Sequence, residues 1–179
     1  MEKQPKEKGC LTRRQFLLAS GGATVTTVLF VTFPGSPKAE AIPARLIKYP
    51  RKRIARLSQV KQDIPMDFRY PYDDPLHSSS FLVKLGVPAG GGVGRDNDIV
   101  AFNNLCTHMG GPLQGTYKKK HKALGPCPFH LTTFDLTKHG MVIAGHATES
   151  LPQVTLEVEG DDIYATGLMG LIYGRNSNL

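Results

Sequence analysis

Two short stretches, Cys106-Thr107-His108-Met109-Gly110-Gly111 and Cys127-Pro128-Phe129-His130, constrain this chain more than any other feature in it. Each places a thiol close to an imidazole, and together they hold two of the three cysteines in 179 residues. Side chains of these types at such spacings suit a metal, and a fold that uses them must bring two separate loops to one place. A lone Cys or His reads as a buried hydrophobe or a surface imidazole. Four of them in this order, set among glycine and proline turn residues, read as ligands.

The mixed order discriminates between metals. Zinc sites more often group their ligands as Cys-x-x-Cys and His-x-x-x-His. A 2Fe–2S centre with two Cys on one iron and two His on the other needs one of each from both loops. Neutral imidazoles in place of two thiolates lower the charge on such a centre and raise its reduction potential. The third cysteine, Cys10, lies near the N-terminus, so no pair remains for a structural disulfide once Cys106 and Cys127 bind metal. A zinc-binding structural domain stays open as the alternative on these residues alone. His77, His121, His139 and His146 have no partner at ligand spacing and are expected in loops.

Near the N-terminus, Thr12-Arg13-Arg14-Gln15-Phe16-Leu17-Leu18 sets a twin-arginine pair before a weakly hydrophobic stretch that runs to Phe33, and Ala39-Glu40-Ala41 has the form of a cleavage site. Residues 1–41 are therefore read as a Tat signal peptide, which exports proteins already folded and implies a periplasmic location. If the leader is kept, residues 16–33 form a short membrane anchor instead. The mature chain, residues 42–179, is long enough for one core. The whole chain's net charge of +7 comes with no RNA-binding motif and no tryptophan, so a nucleic-acid partner is not indicated.

From Arg45 to Lys61, basic residues alternate with Ile47, Ile54, Leu57 and Val60; the segment is either a docking arm for a subunit or lipid, or a solvated edge strand. Pro65, Pro71 and Pro75 predict an ordered loop over residues 63–78. Strands are expected at 81–85, 99–102, 141–144, 154–158 and 163–166, with the glycine run at Gly90-Gly91-Gly92 as a hairpin tip rather than a phosphate loop, because no Lys-Ser/Thr follows it. Short strands without a long segment of 3.6 period give an antiparallel all-β domain.

The two boxes, with Phe134-Asp135 after them, resemble those of the Rieske 2Fe–2S family. Further runs make the chain most similar to the small, iron-sulfur subunit of arsenite oxidase: 67–75 (Asp67 to Pro75), 99–103, 145–152 (Gly145-His146-Ala147-Thr148 onward) and 170–175. The resemblance implies a Rieske-type antiparallel β-sandwich or barrel over residues 42–179, with a small cluster-binding subdomain of two loops at about 104–136. It implies one 2Fe–2S cluster on Cys106, His108, Cys127 and His130. It also implies a large molybdopterin subunit with a 3Fe–4S cluster that oxidises arsenite to arsenate, and a cytochrome c or copper protein as acceptor. This chain would be the non-catalytic electron carrier. Two other classes compete: the Rieske subunit of a quinol–cytochrome c reductase, with a retained N-terminal anchor, and the ferredoxin component of a ring-hydroxylating oxygenase.

Departures from the respiratory members of the family are informative. The disulfide those members place between the loops would need cysteines where this chain has Gly111 and Phe129, so packing must hold the loops, and Phe129 is placed to shield the cluster. A Ser and a Tyr that hydrogen-bond the cluster sulfurs in those members correspond to Thr132 and Phe134; Thr132 keeps one hydroxyl and Phe134 offers none. The reduced state is stabilised less, and the expected potential is lower. Between the boxes, Lys118, Lys119 and Lys120 are either a docking patch for an acidic acceptor or a solvated hairpin tip.

Overall fold

The computed structural model describes Gln15 and residues 48–179; the leader assigned to residues 1–41 and the start of the basic segment at Arg45 lie outside the described residues. Ten strands follow in order: β1 (Lys52–Arg56), β2 (Met66–Arg69), β3 (Ser79–Lys84), β4 (Ile99–Asn103), β5 (Tyr117–Lys118), β6 (Ala123–Leu124), β7 (Thr133–Asp135), β8 (Met141–Ala144), β9 (Gln153–Glu159) and β10 (Asp162–Met169). They form a six-stranded sheet in the order β1-β10-β9-β4-β3-β2 and a four-stranded sheet in the order β5-β6-β7-β8, with every strand pair antiparallel. The all-β expectation holds.

Strands β3 and β4 lie inside the larger sheet and are buried on both faces, which is why they read as continuous apolar runs. Their alternation divides the interior in two. Leu82, Ile99 and Ala101 face one core with Tyr70, Ile163, Ala165 and Ile172. Phe81, Val83, Val100 and Phe102 face the other, with Leu124, Phe134, Leu136 and both box cysteines. Around the first core the sheet curls until its edges nearly meet: Lys52 Nζ donates to the Arg69 carbonyl and Tyr70 Oη to the Pro50 carbonyl, both at 2.9 Å. The result is close to a closed barrel.

Two sequence expectations change here. Residues 63–78 are not all loop, because β2 forms between Pro65 and Pro71: the prolines flank the strand instead of interrupting it, and Met66 and Phe68 alternate onto the first core. The basic segment 45–61 contains the edge strand β1; Arg51 just before it and Arg53 and Arg56 within it pair with Glu157, Glu159 and Asp162. The edge-strand reading fits it, with charge along the edge as such strands need.

Asp63 ties the small sheet to the large one. Its Oδ1 accepts from Tyr117 Oη at 2.6 Å and from Lys122 Nζ at 2.7 Å, and these donors hold its carboxyl below the usual carboxylate range, Lys122 foremost. A carboxyl depressed in the folded chain adds stability above its unfolded pKa and loses it as pH falls through the folded one. Asp63→Asn should therefore cost on the order of 1 kcal/mol at pH 7. In denaturant titrations, the gap between variant and wild type should close as the pH is taken below the carboxylate range.

Candidate metal centre

Loop one leaves β4 through a clamp of asparagines. Asn103 Oδ1 accepts from the Leu105 N–H at 2.9 Å, its Nδ2 donates to the His77 carbonyl at 2.7 Å, and the Leu113 N–H closes the loop's base on the Asn104 carbonyl at 2.8 Å. Loop two runs from β6 to β7. Within them the backbone repeats itself. Cys106 N–H donates to Gly111 O at 2.9 Å and Gly110 N–H to Cys106 O at 2.8 Å; Cys127 N–H donates to Thr132 O at 2.8 Å and Leu131 N–H to Cys127 O at 2.9 Å. Each loop turns through a left-handed residue at the matching place, Gly110 at φ 66° and Leu131 at φ 61°. Two loops of one design therefore present two cysteines and two histidines.

The four side chains divide into an inner and an outer pair. Cys106 and Cys127 are free thiols buried in the second core. Burial pushes the Cys106 thiol above its ordinary range, and the neighbouring Cys127 pushes the same way, while the His108 N–H and the Thr132 hydroxyl oppose them by donating to the sulfur. His108 is half-buried and His130 exposed, with ring centroids 4.7 Å apart and planes at 82°. Among the described residues no three His, Cys, Asp or Glu gather as a mononuclear site would require. Two sulfurs inside, two imidazoles outside and N–H and O–H groups aimed at sulfur are the donor set that a 2Fe–2S cluster with mixed ligation takes.

Gly111 and Phe129 adjoin, as the comparison with disulfide-bridged loops anticipates. A Cβ on Gly111 would lie 3.1 Å from Phe129 Cδ2 and only 2.5 Å from Cys127 Sγ. The Phe129 ring covers this contact from one side and remains 57% exposed, a partial shield. Thr132 is fully buried, and its Oγ1, which donates to Cys106, also accepts from the His146 N–H at 3.2 Å. Phe134 is fully buried in β7, where it pairs with Leu124 and Val142 and carries no hydroxyl.

Lys118, Lys119 and Lys120 are exposed on the β5–β6 hairpin. The chain leaves loop one through β5, turns at the lysines and returns through β6 to loop two, so the run occupies the end of the hairpin away from both loops. Both readings of the run, docking patch and solvated tip, place the lysines at an exposed hairpin end, as found. His77, His121 and His139 lie in turns, as expected, with His77 on Asp74 and His139 on Gln153. His146 also lies outside the strands, but its ring is 5.7 Å from that of His108 and 6.3 Å from that of His130. No spacing in the sequence signals this; the only sign is the run Gly145-His146-Ala147-Thr148. Tyr173 from the C-terminal tail was missed likewise: a Cβ on Gly110 would meet its ring carbon Cδ1 at 2.5 Å.

With the geometry established, comparisons with known proteins add three findings. A model of the Rieske [2Fe-2S] domain matches residues 75–155. The chain is 62% identical over 172 residues to the iodate reductase subunit IdrB of Denitromonas iodatirespirans, covering 96% of this chain and 89% of that protein; with IdrB of Pseudomonas sp. (strain SCT) the figures are 58%, 96% and 86%. Among solved structures, the soluble domain of Rieske protein II (soxF) from Sulfolobus acidocaldarius superposes with a TM-score of 0.61 at 26% identity, over 72% of this chain and 82% of that one.

The contrast between the loops is testable. Gly111→Ala drives a methyl group against Cys127 Sγ and should lower bound iron per chain and the visible absorption, with secondary structure by circular dichroism retained. Leu131→Gly relieves a left-handed backbone that costs an L-residue about 1 kcal/mol, and should leave iron content unchanged.

Proposed function

Because this chain belongs to the Rieske [2Fe-2S] family, we propose that it is the electron-transfer subunit of an exported oxidoreductase whose catalytic chain is a separate protein. One Rieske-type 2Fe–2S cluster is its cofactor. In this reading Cys106 and Cys127 hold one iron and His108 and His130 the other. The observation that carries the reading is the split of the site into buried thiols and an outward imidazole pair. When bound, the cluster supplies one-electron redox chemistry. The residues do the rest: the apolar second core excludes water from the sulfurs, the Thr132 hydroxyl donates to Cys106, and the two histidines form the edge presented to a partner.

That edge is suited to a protein surface. No Asp, Glu, Lys or Arg occurs in residues 104–117, 123–134 or 140–148, in a chain where 21% of residues are charged. Met109, Phe129 and Leu131, more than half exposed, lie in the same two loops. Apolar surface of this kind favours a lasting subunit contact over a salt-steered encounter.

For the catalytic partner, the extent of similarity to two iodate reductase subunits favours a large subunit acting on a small oxyanion, with iodate as substrate, this chain supplying electrons to it. A molybdopterin and a 3Fe–4S cluster in that subunit follow from the arsenite oxidase resemblance. The arsenite reading reverses the electron flow, toward a cytochrome c or copper protein, and rests on runs such as 67–75 and 145–152. A quinol-oxidising complex is disfavoured by scope: the Streptomyces lividans cytochrome bc1 Rieske subunit matches only 35% of this chain. The twin-arginine leader supports a periplasmic location, with membrane association if it is retained.

In the complex purified with its large subunit, iodate should reoxidise the reduced chain, read as return of the visible absorption, and arsenite should not reduce the oxidised chain. Reduction by arsenite with no response to iodate would replace this substrate with the other. Phe134→Tyr, which restores a hydroxyl beside the sulfurs, should raise the midpoint in a redox titration; a fall or no change would sink the hydrogen-bond account of a lowered potential.

A further inference from the structure

The imidazole of His146 is unaccounted for by the ligand set, yet the fold brings it to the histidine pair with care. Gly145 makes the approach feasible: it sits at φ 95°, and a Cβ there would lie 2.3 Å from Thr132 Cα, so the turn after β8 is pressed directly onto loop two. The His146 N–H then donates to Thr132 Oγ1 at 3.2 Å, which joins the turn to the hydroxyl that serves the Cys106 sulfur. From that anchored backbone the ring lies 5.7 Å from His108 with planes tilted by 32°, and 6.3 Å from His130 with planes 86° apart, an edge-to-face contact. Both separations fall in the range where aromatic rings attract, and the edge-to-face geometry is a preferred one.

An imidazole bound through one nitrogen keeps one soft freedom, rotation about that bond. Something must lie against the ring to restrict it. The rings of His108 and His130 already contact each other edge to face at 4.7 Å, but each has an outward face. We propose that His146 is a positioning residue for these two imidazoles: its ring lies against both and limits their rotation from one side. This rests on the assignment of His108 and His130 as ligands. It adds to that assignment a residue from a third loop, one that holds no metal and acts through its ring face.

The test uses the full-length protein with its cluster and three variants. His146→Phe keeps a planar ring without ring nitrogens; His146→Ala removes the ring; His146→Leu fills similar space without a plane and stands in if the alanine variant fails to fold. The readouts are the electron paramagnetic resonance spectrum of the reduced protein and the rate at which visible absorption is lost in air. His146→Phe should keep the wild-type line positions and widths. His146→Ala and His146→Leu should give broadened lines, from a spread of ring orientations, and several-fold faster loss of the cluster at unchanged circular dichroism. Wild-type spectra in both ringless variants would overturn the proposal, and so would a phenylalanine variant as disturbed as the alanine one, since the ring nitrogens would then matter and not its face. Wild-type protein lacking a Rieske signal would overturn the ligand assignment first, and the proposal with it.

Discussion

Two thiols buried side by side are the constraint on which the rest of this structure depends. Cys106 and Cys127 are 1% and 2% exposed, inside a core that is otherwise aromatic and aliphatic. A thiolate there is costly and two are costlier, because the medium does not solvate them and each repels the other. Protein donors offset part of this, through the His108 N–H and the Thr132 hydroxyl. Iron held by both sulfurs would offset the rest and would couple metal binding to the integrity of this half of the interior. The wall of Phe81, Val83, Val100 and Phe102 behind the thiols belongs to the most buried strands of the larger sheet.

The similarity of the two loops follows from the same need. Each must deliver a buried sulfur and, a few residues on, an outward imidazole, and the chain must reverse in between. Both solve it with a cysteine bonded across its own loop and a left-handed residue four positions later. At 110 that residue is glycine. At 131 it is leucine, which pays in backbone strain while placing an exposed apolar side chain at the tip. Gly111, in turn, is glycine because a sulfur of the other loop occupies the space of its Cβ. The position that a bridging cysteine would occupy is here a point of direct packing between loops.

What the sequence disclosed, and what it hid, divides along the same line. The two boxes are local, with Cys and His within four positions of each other, so Cys106, His108, Cys127 and His130 could be named as candidates without coordinates, and the fold brings the four together. The strands β3, β4, β9 and β10 were visible because burial on one or two faces leaves a period in the sequence. The strand β2 was hidden by flanking prolines that look like interruptions. His146 was hidden for a different reason: it reaches the histidine pair through a tertiary approach, Gly145 on Thr132, that no pattern within either segment encodes.

Charge completes the division of the surface. Arg51 and the edge strand β1, with Arg53 and Arg56, are basic, and the β5–β6 hairpin tip carries the lysines, whereas residues 104–117, 123–134 and 140–148 carry no formal charge. Basic groups distant from the electron-transfer edge act on long-range orientation and fade with salt. The edge itself offers apolar side chains and imidazoles, which cost little to dehydrate. A partner that covers it removes water from around the outer pair without stranding a buried charge. The segments that carry the imidazoles thus bring no charge of their own to such a contact, and the basic residues are distributed elsewhere in the chain.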